Sequence, residues 1–185
     1  MKESFYTIGH STLSIEEFVH ALQTVGVDLV VDVRTVPRSR TNPQYNRDAL
    51  PLSLAPFRVG YDHVAALGGL RGRSREVSPA TNAFWQNESF HNYADHAMST
   101  QFREGLARLR ELGAIRSCAL MCAEAVWWRC HRRIITDYLL DAGAAVFHIM
   151  GQGRIEPARM TEQARRLAPG VLVYPPAAGI RRVSV

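Results

Sequence analysis

Residues Phe5-Tyr6-Thr7-Ile8 form a short β-prone run that stops at Gly9. Ser14, followed three residues later by Glu17, is a capping-box pattern, and Ile15, Phe18, Val19 and Leu22 behind it fall at helical spacing. These positions predict a helix over 15–24, ended by Gly26. Residues 27–33, VDLVVDV, are an almost continuous branched apolar run, the pattern of a strand buried on both faces of a parallel sheet. The chain thus opens as β-α-β, and a right-handed crossover sets the C-terminal ends of both strands on one edge.

Beyond Arg34 the regular pattern lapses. Prolines at 37, 43, 51 and 56 predict a long loop up to Gly60, with one helical turn near 46–54. A strand-like piece near 59–64 leads to Leu67-Gly68-Gly69 and an exposed Arg/Ser stretch reaching about residue 80. Phe90, Tyr93, Ala94, Ala97, Met98, Phe102, Leu106 and Leu109 then recur at spacings of three and four, predicting one helical region over 85–111 that Gly113 terminates. A strand at 118–122 (CALMC), a helix over 129–141 and a strand at 144–150 (AAVFHIM) make a second β-α-β unit. The tail predicts a helix over 161–168 and an edge strand over 171–174. The whole reads as α/β: a single-domain, Rossmann-like three-layer sandwich with a mostly parallel sheet, the segment 151–185 packed on it. No repeat or low-complexity tract interrupts it.

Composition adds little to the fold and more to the partners. A chain of 185 residues, 46% apolar and 21% charged, is ordinary for a globular domain. MKESFYTIGH has Glu3 where an export signal needs an apolar run, and no stretch is apolar over membrane-spanning length, so the expected location is the cytoplasm, with no membrane partner. Cys118, Cys122 and Cys130 are odd in number, which argues against a structural disulfide framework. The net charge of +5 comes from 22 Lys and Arg residues, all but Lys2 being arginine. Guanidinium groups suit phosphate and carboxylate, so an anionic small molecule or a nucleic acid is the expected partner. A bias of base composition produces the same excess of arginine. Cofactor and oligomeric state are left open.

In parallel sheets of this kind, ligands bind beyond the carboxyl ends of the strands. The polar residues at those ends are therefore the candidates. His10, Cys122, Glu124, Cys130 and His131 are the candidate catalytic residues. Cys130-His131-Arg132 is expected in the first turn of its helix, where dipole and cations would raise the thiolate fraction. A histidine as base and Glu124 as acid or orienting group would complete the roles for covalent or acid/base catalysis. Cysteines at strand ends also serve simply as small buried hydrophobes.

Ser11, Asp32, Arg34, Arg38, Ser39, Arg40, Arg132 and Trp128 are the candidate binding residues. Asp32, inside an apolar strand, needs a cationic partner in Arg34, Arg38 or Arg132. Trp127 and Trp128 beside Arg129 offer a stacking platform, although one of the two is expected in the core. No standard metal centre is expected, because there is no CxxC pair and adjacent Cys130 and His131 would point to different sides of a helix; a catalytic metal that uses His10 is the alternative left open.

TIGHST at 7–12, DVRTVPRSR at 32–40, Gly60-Tyr61 with LGG at 67–69, YADHAM at 93–98 and LMCAEAVWWRCHRR at 120–133 occur in this order. In these motifs the chain resembles the bacterial and archaeal family of domain of unknown function 488, over about the first 150 residues, with GRIEPARMTEQA at 153–164 similar to that family's C-terminal segment. It departs from the family pattern at Ala125-Val126-Trp127-Trp128, where a proline or acidic residue is frequent, and at Pro157, where a histidine is. The resemblance implies an α/β sandwich with a parallel sheet and no established activity, some members carrying a loose label of DNA repair. Function is expected to be an enzyme, a hydrolase or transferase, acting on a phosphate-bearing or other anionic substrate. The alternatives are a non-catalytic nucleic-acid-binding module and a thiol redox or metal protein.

Overall fold

A computed structural model describes residues 3–177. Strand β1 (Ser4–Gly9) leads through helix α1 (Ile15–Thr24) to strand β2 (Leu29–Asp32). The capping box forms as the sequence requires, with Ser14 Oγ accepting from Glu17 N at 3.1 Å and Ser14 N donating to the Glu17 carboxylate at 2.8 Å. A short helix α2 (Leu50–Leu54) precedes strand β3 (Gly60–His63), and helices α3 (Glu88–Ala97) and α4 (Thr100–Ile115) follow. Strand β4 (Cys118–Cys122), helix α5 (Arg132–Asp141) and strand β5 (Ala145–Ile149) are the second β-α-β unit. Strands β6 (Ile155–Pro157), β7 (Arg165–Ala168) and β8 (Val171–Val173) close the described chain.

The six-stranded sheet has the order β3-β2-β4-β1-β5-β6 and is parallel except for β6, which runs antiparallel to β5. It is the mostly parallel, Rossmann-like α/β sandwich the hydrophobic pattern predicts. Alternate residues of each strand feed two separate cores. Phe5, Val31, Cys118 and Leu120 face α3, α4 and α5 through Tyr93, Phe102, Leu109, Ile135 and Leu139. Ile8, Val30, Ala119 and Met121 face α1 and α2 through Phe18, Leu22, Leu50 and Leu54. β4 lies between β2 and β1, and every one of its residues is buried. Among the described residues no helix is long and apolar enough to cross a membrane.

Four expectations change. The 85–111 region is two helices, because Ser99 interrupts the apolar stripe and caps α4 by accepting from Phe102 N at 3.1 Å. Gly113 does not end a helix but lies inside α4, where a Cβ would overlap the Phe5 ring, so it marks a close helix–sheet approach. The expected helix over 161–168 is instead a turn followed by β7, hairpinned to β8 through Pro169 and Gly170, the latter at φ +70°. Accordingly 171–173 is not an edge of the main sheet but half of a separate two-stranded one. Buried Leu172 and Tyr174 dock that hairpin: Tyr138 Oη exchanges hydrogen bonds with Leu172 backbone groups, and Tyr174 Oη donates to Asp137 Oδ2 at 2.9 Å. The end of the expected C-terminal segment, 178–185, lies outside the described residues.

Candidate active site

The C-terminal ends of β1, β2 and β4 are laced together beyond the sheet. His10 N donates to Cys122 O at 2.9 Å, Ser11 N to Ala123 O at 3.0 Å and Val33 N to Met121 O at 3.0 Å. These bonds fix the β1–α1 loop and the start of the 33–40 loop against the end of β4. Beyond them opens a cavity of about 380 Å³. Arg34, Arg38 and Ser39 line it from the β2 side, Cys122, Glu124, Arg129, Cys130 and His131 from the β4–α5 side, and Gly69, Leu70 and Phe90 complete the walls.

Cys130 and His131 precede α5 rather than lying in its first turn. Cys130 is extended (φ −124°, ψ 146°) after a turn of 3-10 helix at Trp127–Arg129, and Arg132 is the first residue of α5. The extended backbone turns the Cys130 side chain back toward β4. Its Sγ lies 2.7 Å from Cys122 Sγ, 3.2 Å from Arg132 Nε and 3.5 Å from Arg132 N. The Arg132 guanidinium is 1% exposed. Its remaining contacts are the Glu124 carbonyl at 2.6 Å and Thr7 Oγ1 at 3.5 Å, both neutral.

A buried guanidinium without a counter-charge is costly. Among its partners only a cysteine sulfur can become an anion. Burial opposes charge on Cys130, but the Cys122 thiol donating to it, the Arg132 cation and His131 outweigh burial and hold it well below the ordinary thiol value. Burial, reinforced by the hydrogen bond to Cys130, pushes the Cys122 thiol well above that value. Of the two sulfurs, Cys130 is therefore the one that gives up its proton first.

His131 is poised beside this sulfur. Its Nε2 lies 2.8 Å from the Val33 carbonyl, which can only accept, so Nε2 carries hydrogen. That leaves Nδ1 to face Cys130 Sγ at 3.6 Å and take its proton. A Cβ on Gly69 would overlap the imidazole, so the Leu67-Gly68-Gly69 motif lets the loop pack against the ring. Sulfur, base and an orienting carbonyl form the arrangement of an activated nucleophile.

Asp32 takes Arg34 as its partner, as the sequence allows. Arg34 Nε donates to Oδ1 at 2.9 Å and Nη2 to Oδ2 at 2.6 Å, and Nη2 also reaches Tyr45 O at 2.7 Å. Tyr61 Oη donates to Asp32 Oδ2 at 2.7 Å. His10 lies under this network, stacked on Tyr45 at 4.0 Å, with Nε2 facing Arg34 Nη1 at 3.3 Å. Burial pushes His10 down to about 4, so it is neutral near pH 7, accepts from Arg34 through Nε2 and donates through Nδ1 to Ser11 O. Arg34 is thereby neutralised and immobilised at the cavity wall, and His10 supports it rather than reaching the thiolate.

The remaining candidates spread out. Arg38 is exposed at the cavity and forms no ion pair among the described residues, and the same holds for Arg129. Ser39 stays beside them, its amide donating to Asn46 Oδ1 at 2.6 Å. The Glu124 side chain is exposed at the cavity rim, while its carbonyl holds Arg132. Ser11, Arg40 and Trp128 do not line this cavity, and Ser11 lines a different one beside α1. Of the two tryptophans, Trp127 is the inner one, stacked on His148 at 4.4 Å, and Trp128 is 45% exposed. Among the described residues no three His, Cys, Asp or Glu side chains gather as a ligand set.

Sequence reasoning left His148 open between packing and site wall and gave Thr7 no role of its own. Thr7 Oγ1 links Arg132 to His148 Nδ1, the latter contact at 2.8 Å. Both lie on strands that read as apolar, and only their polarity inside such runs gave a signal. Arg129, expected only as part of the tryptophan platform, and Phe90, read as part of a helical stripe, both turn out to be cavity walls.

One comparison with known proteins decides the family. A family model described as "Domain of unknown function DUF488" matches residues 14–139. The chain belongs to DUF488. Searches of the curated proteins and of the solved structures found no match. The DUF488 match covers Asp32, Arg34, Cys122, Cys130, His131 and Arg132, and begins after His10 and Ser11.

Proposed function

We propose that the protein is an enzyme that attacks a small phosphate-bearing or other anionic substrate with the Cys130 thiolate. One observation carries the reading: among the described residues Arg132 is buried without a carboxylate partner, and the sulfur of Cys130 is the contacting group able to balance it. The thiolate is the nucleophile, His131 Nδ1 exchanges its proton, and Arg38 and Arg129 draw the anion to the cavity mouth. Glu124, at the rim, protonates the leaving group. Arg34 contributes position and a local dipole rather than free charge, because Asp32 neutralises it.

Incubation with a panel of phosphomonoesters and nucleotides, each variant compared with wild type, tests this. Turnover should vanish in Cys130→Ala, and Glu124→Ala and His131→Ala should each fall on the order of 10²-fold with the fold intact. Turnover that survives Cys130→Ala would overturn the reading.

Exposed Trp128 beside Arg129 favours a second reading, a nucleic-acid-binding surface. It requires affinity for single strands that falls steeply with salt. Binding that is absent or indifferent to salt removes it.

A further inference from the structure

We propose that Cys122 and Cys130 are a dithiol–disulfide couple for small anionic disulfides, with Cys122 as the resolving thiol. The proposal rests on the thiolate assignment above but needs no phosphate substrate. Cys122 and Cys130 both line the same cavity and their sulfurs are in contact, so a reagent that reaches Cys130 is also beside Cys122. Their 2.7 Å separation has to close only to roughly 2.0 Å for a covalent bond. The two residues sit on different elements, the end of β4 and the approach to α5, with the exposed segment Ala123–Ala125 between them to absorb the adjustment.

The chemistry balances without a further co-reactant. The Cys130 thiolate attacks one sulfur of R–S–S–R, the S–S bond breaks, and RS⁻ leaves with the electron pair. Cys122 then loses its proton to solvent and attacks Cys130 Sγ, forming the internal disulfide and expelling the second RS⁻. Two protein thiols have been oxidised and one small disulfide reduced to two thiols. Arg38 and Arg129 at the mouth favour a reagent with negative groups, which a neutral hydroperoxide lacks.

The oxidised form has a consequence for Arg132. Once the thiolate becomes half of a disulfide, the buried guanidinium loses its counter-charge. The reduced state is favoured by that amount, so the internal disulfide is a labile, oxidising one that simple monothiols reopen. Cys118, at the far end of β4 with its thiol pushed up to about 11 by burial, stays outside the reaction and serves as a control.

The test treats the reduced full-length protein with oxidised glutathione, an anionic disulfide, or with cystamine, a cationic one, and follows intact mass and peptide maps. Wild type should end lighter by two hydrogens with Cys122 joined to Cys130, Cys122→Ser should stop as a mixed disulfide on Cys130, and Cys130→Ser should give neither. The anionic probe should react on the order of tenfold faster at low salt, and the gap should close as salt rises. A mixed disulfide that persists in wild type, an internal bond to Cys118, or equal rates for both probes would each overturn the proposal. Iodoacetamide separates the two levels: if it labels Cys130 rapidly near neutral pH while no internal disulfide forms, only this inference fails. If it labels Cys130 no faster than Cys118, the thiolate reading fails as well.

Discussion

Arg132 Nε stands 3.2 Å from Cys130 Sγ, and among the described residues the same guanidinium meets no carboxylate. The two residues are neighbours but one in sequence, yet they belong to different local structures, an extended link and the first turn of α5. Charge on the sulfur and burial of the cation depend on each other.

Replacing Arg132 by Lys should therefore raise the pH at which Cys130 becomes reactive. A compact ammonium cannot span the sulfur, the Glu124 carbonyl and Thr7 together. Iodoacetamide labelling near neutral pH is expected to slow on the order of tenfold or more, with the midpoint of the rate–pH curve displaced upward. An unchanged midpoint would show that Arg132 does not set the charge of the sulfur.

Gly69→Ala should disturb His131 without touching Cys130 directly. The added methyl overlaps the imidazole and has to push it off the Val33 carbonyl. Thiol labelling should then fall to the level of His131→Ala, while thermal unfolding shifts by only about 1–3 kcal/mol, as for a modest overpacking. Wild-type labelling in Gly69→Ala would show that the ring position does not matter.

Asp32→Ala leaves the Arg34 guanidinium buried against neutral groups. Loss of one partner of a buried ion pair costs about 3–5 kcal/mol. Urea denaturation should show that loss. A double substitution, Asp32→Ala with Arg34→Met, should recover much of it, because no charge then remains without a partner.

Acid should destabilise the protein before its carboxylates titrate in bulk. His10 and His148 are both driven down to about 4 by burial, so each is neutral in the folded chain while its unfolded form takes up a proton near 6.5. The stability they contribute is complete above the unfolded value and is lost as pH falls from about 6.5 toward 4, on the order of 3 kcal/mol per imidazole. Asp137 works in the opposite sense: burial raises it to about 6, so the folded chain holds that proton more tightly and gains stability as pH drops. Melting temperatures between pH 7 and 4.5 should fall, and fall more steeply in Asp137→Asn. A flat profile in wild type would contradict the burial of the two histidines.

Strands β1, β2, β4 and β5 were legible in the sequence because they are apolar runs of the right length, and α1 because Ser14 and Glu17 announce its start, whereas the three residues of β6 carry no such run. Ser99 carried the same kind of signal inside the 85–111 stripe, but continuous apolar periodicity on both sides masked it. The Pro169-Gly170 pair was a turn signal that a helical reading of Thr161–Ala168 passed over. The cavity was legible as a set of strand ends, which is why Arg34, Arg38, Cys122, Glu124, Cys130 and His131 meet there. Which way each side chain turns was not. Cys130 and His131 would diverge on a helix, and only an extended backbone at Cys130 brings them face to face. Arg132 read as an ordinary positive charge because burial is a property of the assembled fold.

The place of β4 between β1 and β2 also bears on how the molecule is made. The first two strands leave the ribosome early, but they do not pair with each other, since the strand that separates them is encoded some eighty residues later, on the order of seconds of synthesis. Until it inserts, neither neighbour has its hydrogen-bonded ladder on that side. The same late segment brings both sulfurs and the arginine that charges one of them. A nascent chain thus makes the walls contributed by Arg34, Gly69 and Phe90 before it makes the two cysteines that those walls come to shelter.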